Sequence, residues 1–268
     1  DLSHPIPRVL RYDSVSRVPT NVIDLANAPD VLTDTSVSPG ASLSLLNRPS
    51  NAGRVCFATT RATDTLVVTA GHVVSDGAAA DAQGPSKVVQ APAAVQNSAQ
   101  QPRRLGAVAP ADIHFRVGAM IDTDCAAVTS DLGRRSSISN QLLDGSVLRI
   151  ATQRELELAS HDRRPVFVLA GRNPANWIRG NVSAIADSGN NWQEFTLDGV
   201  GSYAVRDFFE IVFNAASGAP AVKPEKGDSG TAVIDQSGQI LGLYFATSNR
   251  SNVGYAVPAF LVDQTVSN

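Results

Sequence analysis

Two short runs carry the side chains best suited to acyl-transfer chemistry: Gly227-Asp228-Ser229-Gly230, with a serine in a glycine-flanked turn, and Thr69-Ala70-Gly71-His72 upstream. A serine hydroxyl is a weak nucleophile until an imidazole can take its proton. Flanking glycines let the backbone turn sharply and bring N–H groups to an oxygen that becomes charged. Such a pair needs a third member, a buried carboxylate that fixes the imidazole tautomer and stabilises the imidazolium. Between His72 and Ser229 lies Ile121-Asp122-Thr123-Asp124-Cys125-Ala126-Ala127-Val128. Asp124 precedes the apolar run and so stands where a strand begins to enter the core. The alternative is Asp122 as the orienter, with Asp124 a strand-end cap.

The chain order is then His72, Asp124, Ser229. An α/β-hydrolase would read Ser, Asp, His, with the serine in G-x-S-x-G; here Thr231 stands two residues after Ser229 and the elbow motif fails. The subtilisin order, Asp, His, Ser, fails as well, and His, Asp, Ser is the order of chymotrypsin-like double β-barrels. Three further runs extend the match: Val67-Val68-Thr69-Ala70-Gly71-His72-Val73-Val74, Gly238-Gln239-Ile240-Leu241-Gly242-Leu243-Tyr244-Phe245-Ala246 and Gly254-Tyr255-Ala256-Val257-Pro258. On these residues the chain resembles the chymotrypsin-like (trypsin-like) serine protease superfamily over roughly residues 50–262, nearer its short-looped bacterial and plant members. Val168-Leu169-Ala170-Gly171-Arg172 followed by Gly180-Asn181-Val182 is similar to the G-R-T-T-G…G-x-V segment of those members, from which Asn173-Pro174-Ala175 departs. Each tetrapeptide alone is a weak pattern, and Asp-Ser-Gly is also ordinary turn chemistry; their order carries the signal.

The resemblance implies an all-β fold of two six-stranded antiparallel β-barrels with the active site in the cleft between them. It implies a serine endopeptidase working through an acyl-enzyme. Ser229 would attack a peptide carbonyl, and His72 would take its proton and hand it to the leaving amine. Asp124 would hold His72, and the N–H groups of Gly227 and Ser229 would stabilise the oxyanion. By family position Lys223 falls at the base of the substrate pocket and Lys226 near its rim. A cation there would suit an acidic side chain before the scissile bond; with both lysines pointing outward, Ala221–Lys226 is instead a solvated loop. Acid-specific relatives commonly carry a histidine where this chain has Tyr244-Phe245-Ala246-Thr247, so Tyr244 and Thr247 would narrow the pocket instead. In zymogen-type relatives the aspartate at Asp228 pairs with a new amino terminus, for which Asp1-Leu2 is a poor match; a local partner for Asp228 is expected. The alternative function is a latent or non-catalytic trypsin-fold protein acting as a binding or scaffold module, and an esterase would use the same residues.

Composition is compatible with this class. The 268 residues suffice for one large all-β domain or two small barrels. A net charge of −3 and a pI near 5.8, with no basic stripe, argue against nucleic acid as the main ligand; a polypeptide substrate is what the resemblance implies. Apolar runs fall far below membrane-spanning length. Two cysteines, Cys56 and Cys125, argue against a disulfide-dense scaffold and are expected as small buried hydrophobes. No Cys/His cluster has metal-ligand spacing, so neither metal nor cofactor is expected, and His4, His114 and His161 are isolated. A secreted and an intracellular location fit equally well.

The elements that must position these groups are short strands with turn residues between them, as in barrels rather than βαβ units. Residues 1–40, rich in Pro, Asp, Ser and Thr, are expected as an extended arm on the domain. A first barrel would span 41–155 and hold His72 and Asp124; a second would span 156–268 and hold Ser229, with the seam near 150–163. Ala, Gln, Ser, Gly and Pro dominate 75–104, which predicts a long mobile loop. A short helix or loop is expected over Ala151–Glu157 and a terminal helix over Ala259–Thr265.

Overall fold

The computed structural model describes residues 9–11, 17–19, 37–75, 85–91, 103–131, 138–142, 145–171, 177–186, 192–197, 201–214 and 221–268. The chain divides into two units, Asp1–Thr35 and Ser36–Asn268. In the first, β1 (Val9–Arg11) pairs antiparallel with β2 (Arg17–Pro19). The rest of the arm expected over 1–40 lies outside the described residues as far as residue 36.

The second unit opens with β3 (Ser42–Leu45), β4 (Arg48–Arg54), β5 (Phe57–Arg61), β6 (Asp64–Thr69), β7 (Lys87–Ala91), β8 (Arg103–Val108), β9 (Ile113–His114), β10 (Met120–Ile121) and β11 (Cys125–Ser130). They pair in the order β4-β3-β7-β8-β11-β6-β5, all antiparallel, with β9 also on β11. The two edges of this sheet, β4 and β5, are parted only by Val55 and Cys56. Val55 N–H donates to Ala41 O and Cys56 N–H to Val68 O, both at 2.8 Å, so one bent run carries both edges and the sheet curls around its core. β-branched residues suit such strands, where the stiff side chain packs on a pleated surface. In β6 the triplet Leu66-Val67-Val68 is fully buried, and so is Cys125-Ala126-Ala127-Val128 in the neighbouring β11.

Part of the predicted loop over 75–104 is a strand. β7 is hydrogen-bonded on both sides, to β3 and β8, and buries Val89 and Gln90, whose Nε2 donates to Ser44 Oγ at 3.0 Å. Pairing on both edges supplies what the polar sequence lacks. Residues 76–84 and 92–102 of that loop lie outside the described residues.

After the short helix α1 (Gly71–Val74) of the first half, the junction carries β12 (Arg149–Ile150) and α2 (Gln153–His161). The helix opens with a capping box: Glu155 N–H donates to Thr152 Oγ1, and Thr152 N–H donates to Glu155 Oε2. It runs past the expected Glu157 because Leu156 and Ala159 bury one face against the second core. The second half contains β13 (Pro165–Val168), β14 (Ile178–Ile185), β15 (Gln193–Leu197), β16 (Gly201–Val205), β17 (Phe209–Phe213), β18 (Ala232–Asp235), β19 (Gln239–Thr247), β20 (Val253–Pro258) and α3 (Ala259–Ser267). Strands β19-β18-β13-β14-β17-β20 form a closed six-stranded antiparallel barrel, sealed by the β19–β20 pairing, with β12 parallel on β19. Strand β18 begins only at Ala232, because the chain is still turning at Gly230, where φ is +89°.

A third, smaller sheet joins the halves. The β15–β16 hairpin lays β16 parallel on β10, with Met120 opposite Ala204 and Ile121 opposite Val205. The architecture is thus all-β, a curled sheet and a closed barrel with a bridging sheet between them. Among the described residues no helix is long and apolar enough to cross a membrane.

The Glu155 carboxyl is held down to about 2, first by the Arg149 guanidinium and then by Thr152 N–H. A depressed carboxyl contributes stability above the unfolded glutamate value of about 4.3 and loses it as pH falls through the folded value. Glu155→Ala removes the capping box and should lower stability by about 1 kcal/mol at pH 7. The difference from wild type, measured by urea denaturation, should shrink as pH falls from about 4 toward about 2. A difference that stays constant over that range would assign the loss to something other than the charged carboxylate.

Candidate active site

Strand β6 ends at Thr69 and delivers the chain to a single helical turn, Gly71–Val74, which carries His72. Its neighbour β11 begins at Cys125, so Asp124 sits beside that turn. His72 Nδ1 lies 2.7 Å from Asp124 Oδ2, and His72 N–H donates to Oδ1 at 3.1 Å. Asp124 is fully buried and His72 is 7% exposed. A third donor serves the same carboxylate: Tyr203 Oη on β16, 2.9 Å from Oδ2. Burial, and the carboxylate beside it, push the Tyr203 phenol well above the usual tyrosine range, so it stays a donor. With Nδ1 facing a carboxylate, the imidazole carries its proton there and leaves Nε2 as the acceptor. Asp122, the alternative orienter, is exposed, and its carboxylate pairs with Arg206 at 2.9 Å.

Ser229 sits in the turn before β18. Gly227 and Gly230 both have positive φ, +102° and +89°, which side-chain-bearing residues rarely adopt. Gly230 also has no room for a side chain, since a Cβ would meet Thr69 Oγ1 at 2.3 Å and Arg54 O at 2.6 Å. The serine turn therefore lies directly on the end of the strand that leads to His72. Neither Gly227 N–H nor Ser229 N–H donates to any described residue, and both residues line the cleft that His72 lines. The Ser229 hydroxyl donates to Phe245 O at 3.3 Å. The β19–β20 register shifts between Tyr244 and Ala246, a bulge that re-aims the Phe245 backbone. Among the described residues, no hydrogen bond joins Ser229 to His72.

The carboxylate of Asp228 meets a distant partner as well as the expected local one. Glu225 N–H donates to Oδ2 at 2.9 Å, and Arg54 Nε donates to Oδ1 at 2.8 Å. Arg54 makes four bonds that gather the site. Besides that ion pair, its N–H donates to Ser229 O at 2.9 Å, its O accepts from Thr69 Oγ1 at 2.8 Å, and its Nη1 donates to Gly40 O at 3.2 Å. Asp1 lies outside the described residues.

The cleft holding His72 and Ser229 has a volume of about 380 Å³ and includes Lys223, Lys226, Tyr244 and Thr247, the four residues expected at the substrate pocket. Lys223 neither lies free at a pocket base nor points into solvent: its ammonium donates to Ser248 O and Ser251 O, each at 3.1 Å. Lys226 is exposed. The Tyr244 hydroxyl bonds to Thr247 Oγ1, which donates to Pro224 O at 3.2 Å, so strand β19 is laced to the segment before the serine turn. The thiols take no part. Burial pushes Cys125 up to about 12 and Cys56 well above the ordinary thiol range.

Tyr203 and Arg54 are the site residues that no motif announces. Tyr203 lies in Gly201-Ser202-Tyr203-Ala204-Val205, whose only signal is the alternation of Tyr203 and Val205, and Arg54 ends a strand without apolar alternation.

No protein-family model matches the chain, and no curated protein sequence matches it. Solved structures do. Thermobifida fusca protease A aligns over 85% of this chain and 95% of its own, with a TM-score of 0.50 and 14% identity. The alpha-lytic protease homologue N4 aligns over 85% and 96%, with a TM-score of 0.53 and 13% identity. The chain has their fold, the chymotrypsin-like double barrel of serine proteases.

Arg54→Met should leave the Asp228 carboxylate, 10% exposed, without its cation. The expected loss of stability is about 2 kcal/mol, less than for a fully buried pair because Arg54 is partly exposed. In a double-mutant cycle with Asp228→Asn, measured by denaturant unfolding, the two losses should fall short of additivity. Additive losses would show that the pair does not couple the two segments.

Proposed function

We propose that the protein is a serine endopeptidase in which Ser229, His72 and Asp124 form the catalytic triad. The observation that carries this is the buried Asp124–His72 hydrogen bond, opening onto the same cleft as Ser229. In the first step the Ser229 hydroxyl leaves Phe245 O and donates to His72 Nε2, a side-chain rotation of the kind that occurs in picoseconds to nanoseconds. Ser229 Oγ attacks the carbonyl carbon of a peptide bond while His72 takes the proton. Charge gathers on the carbonyl oxygen, facing the N–H groups of Gly227 and Ser229. One such donor is worth about 3 kcal/mol in rate. His72 then protonates the leaving amine, and water repeats the sequence on the acyl-enzyme.

The pocket residues favour a small uncharged side chain before the scissile bond. Lys223 gives its charge to two backbone carbonyls, and Tyr244 and Thr247 stand across the cleft joined to each other. In peptide libraries varied at that position, small uncharged residues should be cleaved about tenfold faster than Asp or Glu, a difference typical of pocket discrimination. The reverse order would return Lys223 to the pocket as a counter-charge.

One observation favours the second reading, a latent or non-catalytic protein of this fold: the Ser229 hydroxyl rests on Phe245 O. A fluorophosphonate probe separates the two. The endopeptidase reading expects an adduct mapped to Ser229 by mass spectrometry and absent in Ser229→Ala, with the mutant's unfolding transition unchanged. A folded wild type that takes no label favours latency.

A further inference from the structure

We propose that Tyr203 is a positioning residue for the Asp124–His72 pair, fixing the carboxylate through its hydroxyl; this rests on the endopeptidase reading above. A fully buried carboxylate needs a donor for each oxygen that water would otherwise serve. Among the described residues, Asp124 Oδ1 has one donor, His72 N–H, whereas Oδ2 is shared by His72 Nδ1 at 2.7 Å and Tyr203 Oη at 2.9 Å. The backbone N–H and the phenol pin both oxygens, so the carboxylate cannot turn about its Cβ–Cγ bond without losing a bond. The imidazole is thereby held at one angle.

Tyr203 is itself located from two directions. Its ring stands edge-on to Phe115, centroids 4.8 Å apart, and Phe115 in turn meets the His72 ring at 5.9 Å. Its strand is fastened to the segment that leads into Asp124. Gly118 N–H donates to Ser202 O at 2.7 Å, Ala204 N–H to Ala119 O at 2.9 Å, and the Arg206 guanidinium pairs with Asp122 at 2.9 Å. The hairpin partner β15 supplies Thr196 and Leu197 to the wall of the cleft. One hairpin thus lines the substrate's path with one strand and holds the carboxylate with the other.

Tyr203→Phe keeps the ring and deletes the hydroxyl. Proton NMR of the resting enzyme should show the His72 Nδ1–H resonance displaced from its wild-type position. On a cleaved peptide kcat should fall about tenfold, the scale of one hydrogen bond to a charged group, with KM within about twofold. Phe195→Leu, which loosens packing beside Tyr203 without touching the hydroxyl, should lower the melting temperature and leave the resonance in place. An unmoved resonance in Tyr203→Phe would overturn the proposal, as would equal displacement by both variants, which would mark Tyr203 as packing alone. The resonance needs no turnover, so a wild type that resists fluorophosphonate weighs against the endopeptidase reading, in favour of latency, without deciding the role of Tyr203.

Discussion

Arg54 is the constraint on which the arrangement of this molecule turns. Its backbone N–H holds Ser229, its carbonyl holds the Thr69 hydroxyl, and its guanidinium holds the carboxylate of Asp228. The serine turn and the strand leading to His72 lie far apart in sequence, and this residue touches both. It sits where β4 gives way to the bend at Val55 and Cys56, the same bend that carries the first sheet from one edge to the other. Curling that sheet and gathering the site are therefore one structural event. A planar guanidinium suits the place, because its fixed fork of donors can serve a carboxylate and a carbonyl at once. The ion pair is only partly exposed, so solvent screens it less than a surface pair.

A second charge, on Asp124, sets the terms for the imidazole. A carboxylate with no exposure to water is stable only if its oxygens are met by donors. The chain meets them with His72, from the turn after β6, and with Tyr203, from the hairpin of the second half. The bridging sheet has its physical reason here. Without β10 lying on β16, the phenol would have no fixed position relative to Asp124. The Ser229 hydroxyl has no comparable restraint. It rests on a carbonyl of the bulged stretch between Tyr244 and Ala246.

The residues whose role needs a local backbone conformation were legible in the sequence. Glycines at positive φ around Ser229, and a carboxylate at the mouth of an apolar strand, leave marks on neighbouring positions. Most strands of the second half were legible from their apolar runs, as were β5, β6 and β11 of the first, and so was the terminal helix. Strand β7 was not, because its order comes from two flanking strands rather than from its own composition. Strand β16 was not, because Gly201 and Ser202 dilute its alternation over only five residues. Tyr203 went with it: the partner that gives the phenol meaning lies in the other half of the fold, and no spacing along the chain encodes that contact.

Lys223 marks the same boundary from the other side. The resemblance placed it at the base of a substrate pocket, and it lines the cleft that holds His72 and Ser229. A lysine head group ends wherever its flexible stem finds acceptors, and here the carbonyls of Ser248 and Ser251 are within reach. An ammonium already held by two acceptors would have to give up at least one to meet a substrate carboxylate, which lowers the gain from doing so. Tyr244 and Thr247, bonded to each other and through Thr247 to Pro224, brace the same wall without charge. In the endopeptidase reading, selectivity then follows from the space that the wall leaves rather than from the count of lysines beside it.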